Sequence, residues 1–206
     1  MRLVVATRSA HKLAEIRAIL GVVPDLEVLD LDQAGVSRTE AEEKLEPYET
    51  FEENALSKAR YYQERTGLPT VADDSGIAVD ALDGAPGVRS KRFAPDEDVD
   101  GLARDQANNR HLLRRLEGVP PDARTARYVC VAVMVSPGAE PVVCRGEAPG
   151  RIAEAPRGTG GFGYDPLFFD PDLGRTFGEI DADEKHERSH RGRAFRALAR
   201  HFLSGR

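Results

Sequence analysis

The sequence predicts an α/β protein, a mixed β-sheet flanked by helices, carried by one domain over residues 1–206. Three observations predict it. Short β-branched runs alternate with segments of helical period, and two long apolar runs flank a tight Pro-Gly turn. A composition of 40% hydrophobic and 31% charged residues is that of an ordinary globular chain large enough to bury a core.

Leu3-Val4-Val5-Ala6 reads as the first strand. A polar loop, Thr7 to Lys12, leads into a helix on which Leu13, Ile16, Ala18 and Leu20 recur at helical spacing up to Gly21. Leu26 to Leu31 follows as a second strand, and the acidic stretch 32–49 reads as an irregular loop or mobile edge. Thr50-Phe51-Glu52-Glu53 matches a capping box, so a helix should run to about Thr66, closed by Gly67 and Pro69. Thr70-Val71-Ala72 forms a short buried strand that ends at Asp73-Asp74-Ser75-Gly76. Ile77-Ala78-Val79 continues extended to a turn at Asp83-Gly84. Residues 84–97 read as a long loop and Val99 to Leu116 as a helix. Arg127–Ser136 and Pro141–Gly150 look like an antiparallel pair joined at Pro137-Gly138. A glycine-rich loop from Gly158 to Tyr164 precedes Leu167-Phe168-Phe169, and the last helix presents Phe195, Leu198, Ala199 and Phe202 on one face.

No run approaches the roughly 18 apolar residues that a membrane span needs. The amino terminus has no signal-peptide layout, and Cys130 and Cys144 lie in apolar runs without metal-ligand spacing. These features predict a cytoplasmic protein with no membrane contact. A net charge of −6 argues against a polymeric nucleic acid as partner. It leaves room for a small polyanion met by local cations.

Five segments carry candidate chemistry. Asp73-Asp74-Ser75-Gly76 puts two adjacent carboxylates at a strand's carboxyl end, where they could serve a divalent cation and a base. Alone it also fits a solvated acidic turn. Lys58, with Asn54 beside it, points into the apolar stripe of Phe51, Ala55 and Tyr62; such an ammonium must find an anion or snorkel to water. Thr7-Arg8-Ser9-Ala10-His11-Lys12 lies between strand and helix, where free amides and the helix dipole favour an anion. In Gly158–Pro166 the glycines allow close approach, Phe162 and Tyr164 offer a face for a flat ring, and Asp165 could accept from a base or ribose. Lys185 to Gly192 concentrates cations just before the last helix, which also fits a solvated helix start.

Taken together and in order, these segments resemble the inosine triphosphate pyrophosphatase family over essentially the whole chain. The resemblance rests on Thr50–Ala59 (TFEENALSKA), Ala72–Gly76 (ADDSG), Gly84–Ser90 (GAPGVRS), Gly158–Pro166 (GTGGFGYDP) and Ser189–Gly192 (SHRG). It implies an elongated fold of two lobes with a central nucleotide-binding cleft, usually a homodimer, and Mg²⁺-dependent hydrolysis of ITP, dITP and XTP to the monophosphate and pyrophosphate. Asp74 matches the proton acceptor and a metal ligand, with Asp73 adjacent and Ser75 a substrate contact. Lys12 and Lys58 match phosphate-side lysines. Phe162, Gly163, Tyr164, Asp165, Lys185, His190 and Arg191 match residues around the base. The second metal ligand comes from the acidic stretch, with Glu46 chosen and Glu49 or Glu43 possible.

One segment departs from the family pattern. Its first loop reads Thr-Gly-Asn-x-x-Lys, where this chain has Thr7-Arg8-Ser9-Ala10-His11-Lys12. Ser9 keeps a hydroxyl in place of the amide. Arg8 replaces a permissive glycine, so a loop needing positive φ there would be strained; alternatively Arg8 adds a phosphate contact.

Overall fold

A computed structural model describes residues 1–95 and 101–204. Among these, seven strands form one sheet: β1 (Arg2–Val5), β2 (Glu27–Leu29), β3 (Thr70–Val79), β4 (Thr125–Val135), β5 (Val142–Ile152), β6 (Phe168–Asp170) and β7 (Arg175–Thr176), in the order β2-β1-β3-β4-β5-β6-β7. β1 runs parallel to β2 and β3, whereas β5, β6 and β7 pair antiparallel. The helices are α1 (Ala10–Leu20), α2 (Phe51–Thr66), α3 (Gly101–Arg115), α4 (Ala182–Arg188) and α5 (His190–Ser204). This is the mixed α/β sheet that the alternating pattern predicts. Among the described residues no helix is long and apolar enough to cross a membrane.

The chain divides into two compact units. The first comprises Met1–Asp74, Cys130–Gly146 and His190–Arg206. Leu3 and Val5 of β1, Ile16 and Leu20 of α1, and Phe195 and Leu198 of α5 build its core, with α1 packed on α5. The predicted apolar face of the last helix is the face that is buried. The second unit comprises Ser75–Val129 and Glu147–Ser189. Its core gathers Ile77, Val79, Leu112, Leu116, Tyr128, Phe168 and Phe177.

Caps behave largely as the sequence predicts. Thr50 Oγ1 accepts from the Glu53 amide at 3.2 Å, and Gly67 ends α2 in the left-handed region. Glu53 reaches back to the Thr50 hydroxyl at 2.6 Å rather than to its amide.

Four expectations need correction. The strand after Gly67 does not end at Asp73: β3 runs unbroken to Val79, with Asp73 and Asp74 inside it and buried. Two carboxylates in a buried strand are costly without partners, which is why the pattern suggested a stop; the partners come from elements distant in sequence. The stretch 32–49 is not wholly irregular, since Thr39 and Glu42 form a capping box on a 3-10 helix at Glu40–Lys44. The 84–97 loop likewise holds a 3-10 helix at Gly87–Arg92, while residues 96–97 and the predicted helix start at Val99 lie outside the described residues. Finally, Lys185–Gly192 is no solvated lead-in. Lys185 sits on α4, His190 and Arg191 open α5, and all three are buried.

Candidate active site

In the first unit, charged side chains converge on β3. Asp73 is 1% exposed and its Oδ2 accepts from Lys12 Nζ at 3.1 Å and from Arg191 Nε and Nη2 at 3.3 and 3.2 Å. Arg191 Nη1 donates in turn to Glu15 Oε2 at 2.6 Å. Burial opposes the Asp73 carboxylate, but Lys12, Arg191 and Lys58 outweigh it and drive its proton affinity far below that of an ordinary aspartate. Asp73 therefore stays ionised and holds two cations in place.

Asp74 has the opposite character. Its Oδ2 accepts from Asn54 Nδ2 at 3.1 Å. Asn54 is buried and fully used, since Nδ2 also donates to the Tyr48 carbonyl and Oδ1 accepts the Tyr48 amide. Burial and the nearby charge of Glu46 raise Asp74 to about 6, against the pull of Lys58, Lys12 and Asn54. Lys58 pairs with Glu46 rather than snorkelling. Burial disfavours its ammonium, but Glu46, Asp73 and Asp74 more than restore it. Glu46 itself is held below the usual carboxylate range because Lys58 and Lys12 outweigh its desolvation. Of the three acidic candidates for the second metal ligand, Glu46 is the one that meets Lys58.

The first loop is arranged around its hydroxyls. Thr7 Oγ1 accepts the Ser9 amide at 3.1 Å, and Ser9 caps α1, whose first turn holds Ala10, His11 and Lys12. Ser9 thus does the capping an asparagine would do. The expected strain at Arg8 is absent: among the described non-glycine residues only Asp25 and Asp83 have positive φ. Its guanidinium does not stand ready for phosphate but is taken by Asp32, Glu42 and the Val36 carbonyl.

The second unit holds the glycine-rich loop. Asp165 is 2% exposed and organises it: Oδ2 accepts Lys185 Nζ at 2.7 Å and the Phe162 amide at 2.8 Å, and Oδ1 accepts the Tyr128 hydroxyl at 3.2 Å. A Cβ on Gly161, which has φ +71°, would sit 2.0 Å from that Oδ2, so the position requires glycine on both counts. The sequence pattern has Asp165 accept from a base or ribose; its oxygens are instead committed to the loop's own shape. Tyr164 likewise is no open stacking face, since it is buried in the core and its hydroxyl donates to the Ser90 carbonyl at 2.8 Å. Phe162 is the part-exposed aromatic, with Lys185 Nζ 4.6 Å from its ring centre. Ser75 is a half-buried residue of β3 in this unit.

Several organising residues escaped the sequence reading. Asp105 and Asn109, one turn apart on α3, clamp the loop: the Gly163 amide donates to Asp105 Oδ2 at 2.7 Å, and Asn109 Nδ2 donates to the Gly163 carbonyl at 3.0 Å. Neighbouring Asn108 bonds the Ala94 amide and the Ser90 and Lys91 carbonyls. Consecutive asparagines on a helix, where the residue type is unfavourable, are the signal that could have drawn notice. Glu15 and Cys130, which meet Arg191 and Asp73, give no such signal.

Among the described residues no three His, Cys, Asp or Glu side chains stand together as a ready-made metal cage. The donor set nonetheless fits a hard divalent cation that keeps water and takes phosphate oxygens. Such a cation needs only one or two carboxylates, and Asp74 and Glu46 lie close enough that the charge of Glu46, beside burial, raises Asp74 despite Lys58.

The profile of the Ham1 family matches residues 3–201 of this chain. The chain belongs to the Ham1 family. Two relatives named dITP/XTP pyrophosphatase bear out the resemblance read from the motifs. The one from Frankia alni is 48% identical over 199 residues, covering 97% of this chain and 96% of the relative. The one from Geobacter sulfurreducens is 48% identical over 200 residues, covering 97% and 96%. A HAM1 protein from Coxiella burnetii superposes with a TM-score of 0.85 at 35% identity, covering 99% of both chains. Ham1-family membership thus extends over both units rather than resting on one.

Proposed function

We propose that this chain hydrolyses deaminated purine nucleoside triphosphates (dITP, ITP and XTP) to the monophosphate and pyrophosphate. The substrates follow the name its relatives carry. The observation that carries the chemistry is Asp74: a buried carboxyl raised to about 6 and aimed by a fully satisfied Asn54, with phosphate-binding cations in the same unit. A base works best with a proton affinity near the working pH.

Asp74 takes a proton from water, the water oxygen bonds to the α-phosphorus, and the α–β anhydride bond breaks with pyrophosphate leaving. Lys58 and Lys12 stabilise the negative charge that builds on the departing group. Each now sits on a carboxylate, Glu46 and Asp73 respectively, so the arriving phosphates exchange for partners already in place. Mg²⁺, held by Glu46 and Asp74, would supply the neutralising charge that a chain of net −6 lacks. Within the second unit, the loop of Phe162 and Gly163, shaped by Asp165, Lys185, Asp105 and Asn109, offers an aromatic face for a flat ring. Arg191, bound to Asp73 and Glu15, supports the acid side rather than reading a base edge. Donors matched to a 6-oxo purine leave adenine's amine unpaired, which costs about 1–3 kcal/mol. The assignment includes a cytoplasmic setting, supported by two free buried thiols, and a homodimer, supported by the family resemblance.

Pyrophosphate release from ITP, XTP, GTP and ATP, each with Mg²⁺ and with excess EDTA, tests the proposal. Mg²⁺-dependent cleavage of ITP and XTP far above ATP and GTP is the expected result. Cleavage of none of them would refute it.

A further inference from the structure

Arg8 stands where the family pattern has a glycine, and it spreads one guanidinium over three acceptors. Nη1 donates to Asp32 Oδ1 at 2.9 Å, Nη2 and Nε fork onto Glu42 at 2.9 and 3.2 Å, and Nη2 also reaches the Val36 carbonyl at 3.0 Å. Glu42 is itself a hub: it accepts the Thr39 amide at 3.2 Å and the Tyr62 hydroxyl. The Thr39 and Tyr61 hydroxyls share a further bond of 2.9 Å. The 3-10 helix Glu40–Lys44 is thereby pinned by the loop after β1 on one side and by α2 on the other. Glu46 follows it by two residues and meets Lys58.

The pinned stretch is acidic, with Glu40, Glu42, Glu43, Glu46 and Glu49 in ten residues. Like charges in such density repel and favour an extended, hydrated chain. A glycine at position 8 could form none of these bonds. A bidentate guanidinium–carboxylate pair fixes direction as well as distance.

We infer that Arg8 is a positioning residue: it staples the acidic segment so that Glu46 is presented to the cation and phosphates, and it does not itself bind phosphate. The role of Glu46 rests on the proposed function; the staple rests on the geometry alone. Arg8 is part-exposed, at 28% of its side chain, so the effect should be moderate.

Backbone amide hydrogen exchange over residues 39–46, without nucleotide or metal, reads the staple. The Mg²⁺ concentration giving half-maximal pyrophosphate release from ITP reads the positioning. Arg8→Gly should speed exchange about tenfold and raise the Mg²⁺ midpoint about three- to tenfold, the range of a partly exposed charged network. Arg8→Lys should recover only part of both, because an ammonium cannot fork onto Glu42 while spanning to Asp32. Arg17→Ala, which breaks a comparable pair with Asp30, should move neither. Should Arg8→Gly fail to fold, Glu42→Gln gives the same two readings on a smaller scale. Unchanged exchange in Arg8→Gly overturns the staple. Faster exchange with an unmoved midpoint overturns the positioning role. If the unaltered chain cleaves no triphosphate, the reading of the site fails and the role of Glu46 with it; cleavage with an unmoved midpoint overturns the Arg8 inference alone.

Discussion

The two charge clusters of this chain answer the cost of burial in opposite ways. Around β3, Asp73, Asp74, Glu46 and Glu15 gather with Lys12, Lys58 and Arg191, and the neutralisation is uneven: Asp73 is over-satisfied and Asp74 is left raised to about 6. Around the glycine-rich loop, Lys185, the Tyr128 hydroxyl and the Phe162 amide all close on Asp165. The first arrangement stores a proton affinity that chemistry can use. The second stores a shape. A buried charge is thus no sign of catalysis in itself; the sign is a buried charge whose compensation stops short.

The comparison is broken most directly at its two central carboxylates. Asp74→Asn should cut kcat for pyrophosphate release by about 10²–10⁴-fold, while the melting temperature stays level or rises, because an amide costs less to bury than a raised carboxyl. Activity within tenfold of the unaltered chain would place the base elsewhere. Lys185→Met should do the reverse: it leaves Asp165 buried without its cation and should destabilise folding by about 3–5 kcal/mol in urea unfolding. An unchanged unfolding midpoint would show that the Lys185–Asp165 pair does not organise the loop. Asn109→Ala is milder. It removes one bond to the Gly163 carbonyl, so KM for ITP should rise about fivefold, the value of one hydrogen bond, with kcat little changed. A kcat loss without a KM change would mean that the loop contributes to the chemical step.

What was legible in the sequence differs between the clusters for a physical reason. Signals local in sequence were readable: the Thr50 cap, the stop at Gly67, and the apolar face of α5. Lys58 was readable because an ammonium in an apolar stripe demands an explanation, and Glu46 supplies it. The continuity of β3 was not, because Asp73 is tolerated there only through Lys12, 61 positions away, and Arg191, 118 positions away. Asp165 faces inward to Lys185 rather than outward to a ligand, and a single sequence carries no mark of which way a loop aspartate points. Arg8 fits strain or a phosphate contact by residue type alone, and its partners Asp32, Val36 and Glu42 show no periodicity that would announce them.

The smallest expected effect is a displacement along the pH axis, and it sharpens what the raised carboxyl means. Asp74 stands at about 6 rather than 3.8, through burial and the charge of Glu46. As a base it must be ionised, so kcat/KM should fall as pH drops through about 6, with one proton in the limb. The sign for stability is opposite. A carboxyl raised in the folded state contributes stability that is fully present below about 4 and lost as pH rises through about 6, so Asp74 makes the chain relatively less stable at neutral pH. Asp73, driven down, contributes stability above its unfolded value that is lost only in acid. A cation beside Asp74 favours its ionised form, so the acid limb measured at high Mg²⁺ should lie about one unit lower than at limiting Mg²⁺. A limb that stays near 6 at both concentrations would separate Asp74 from the cation and leave Glu46 to hold it without Asp74.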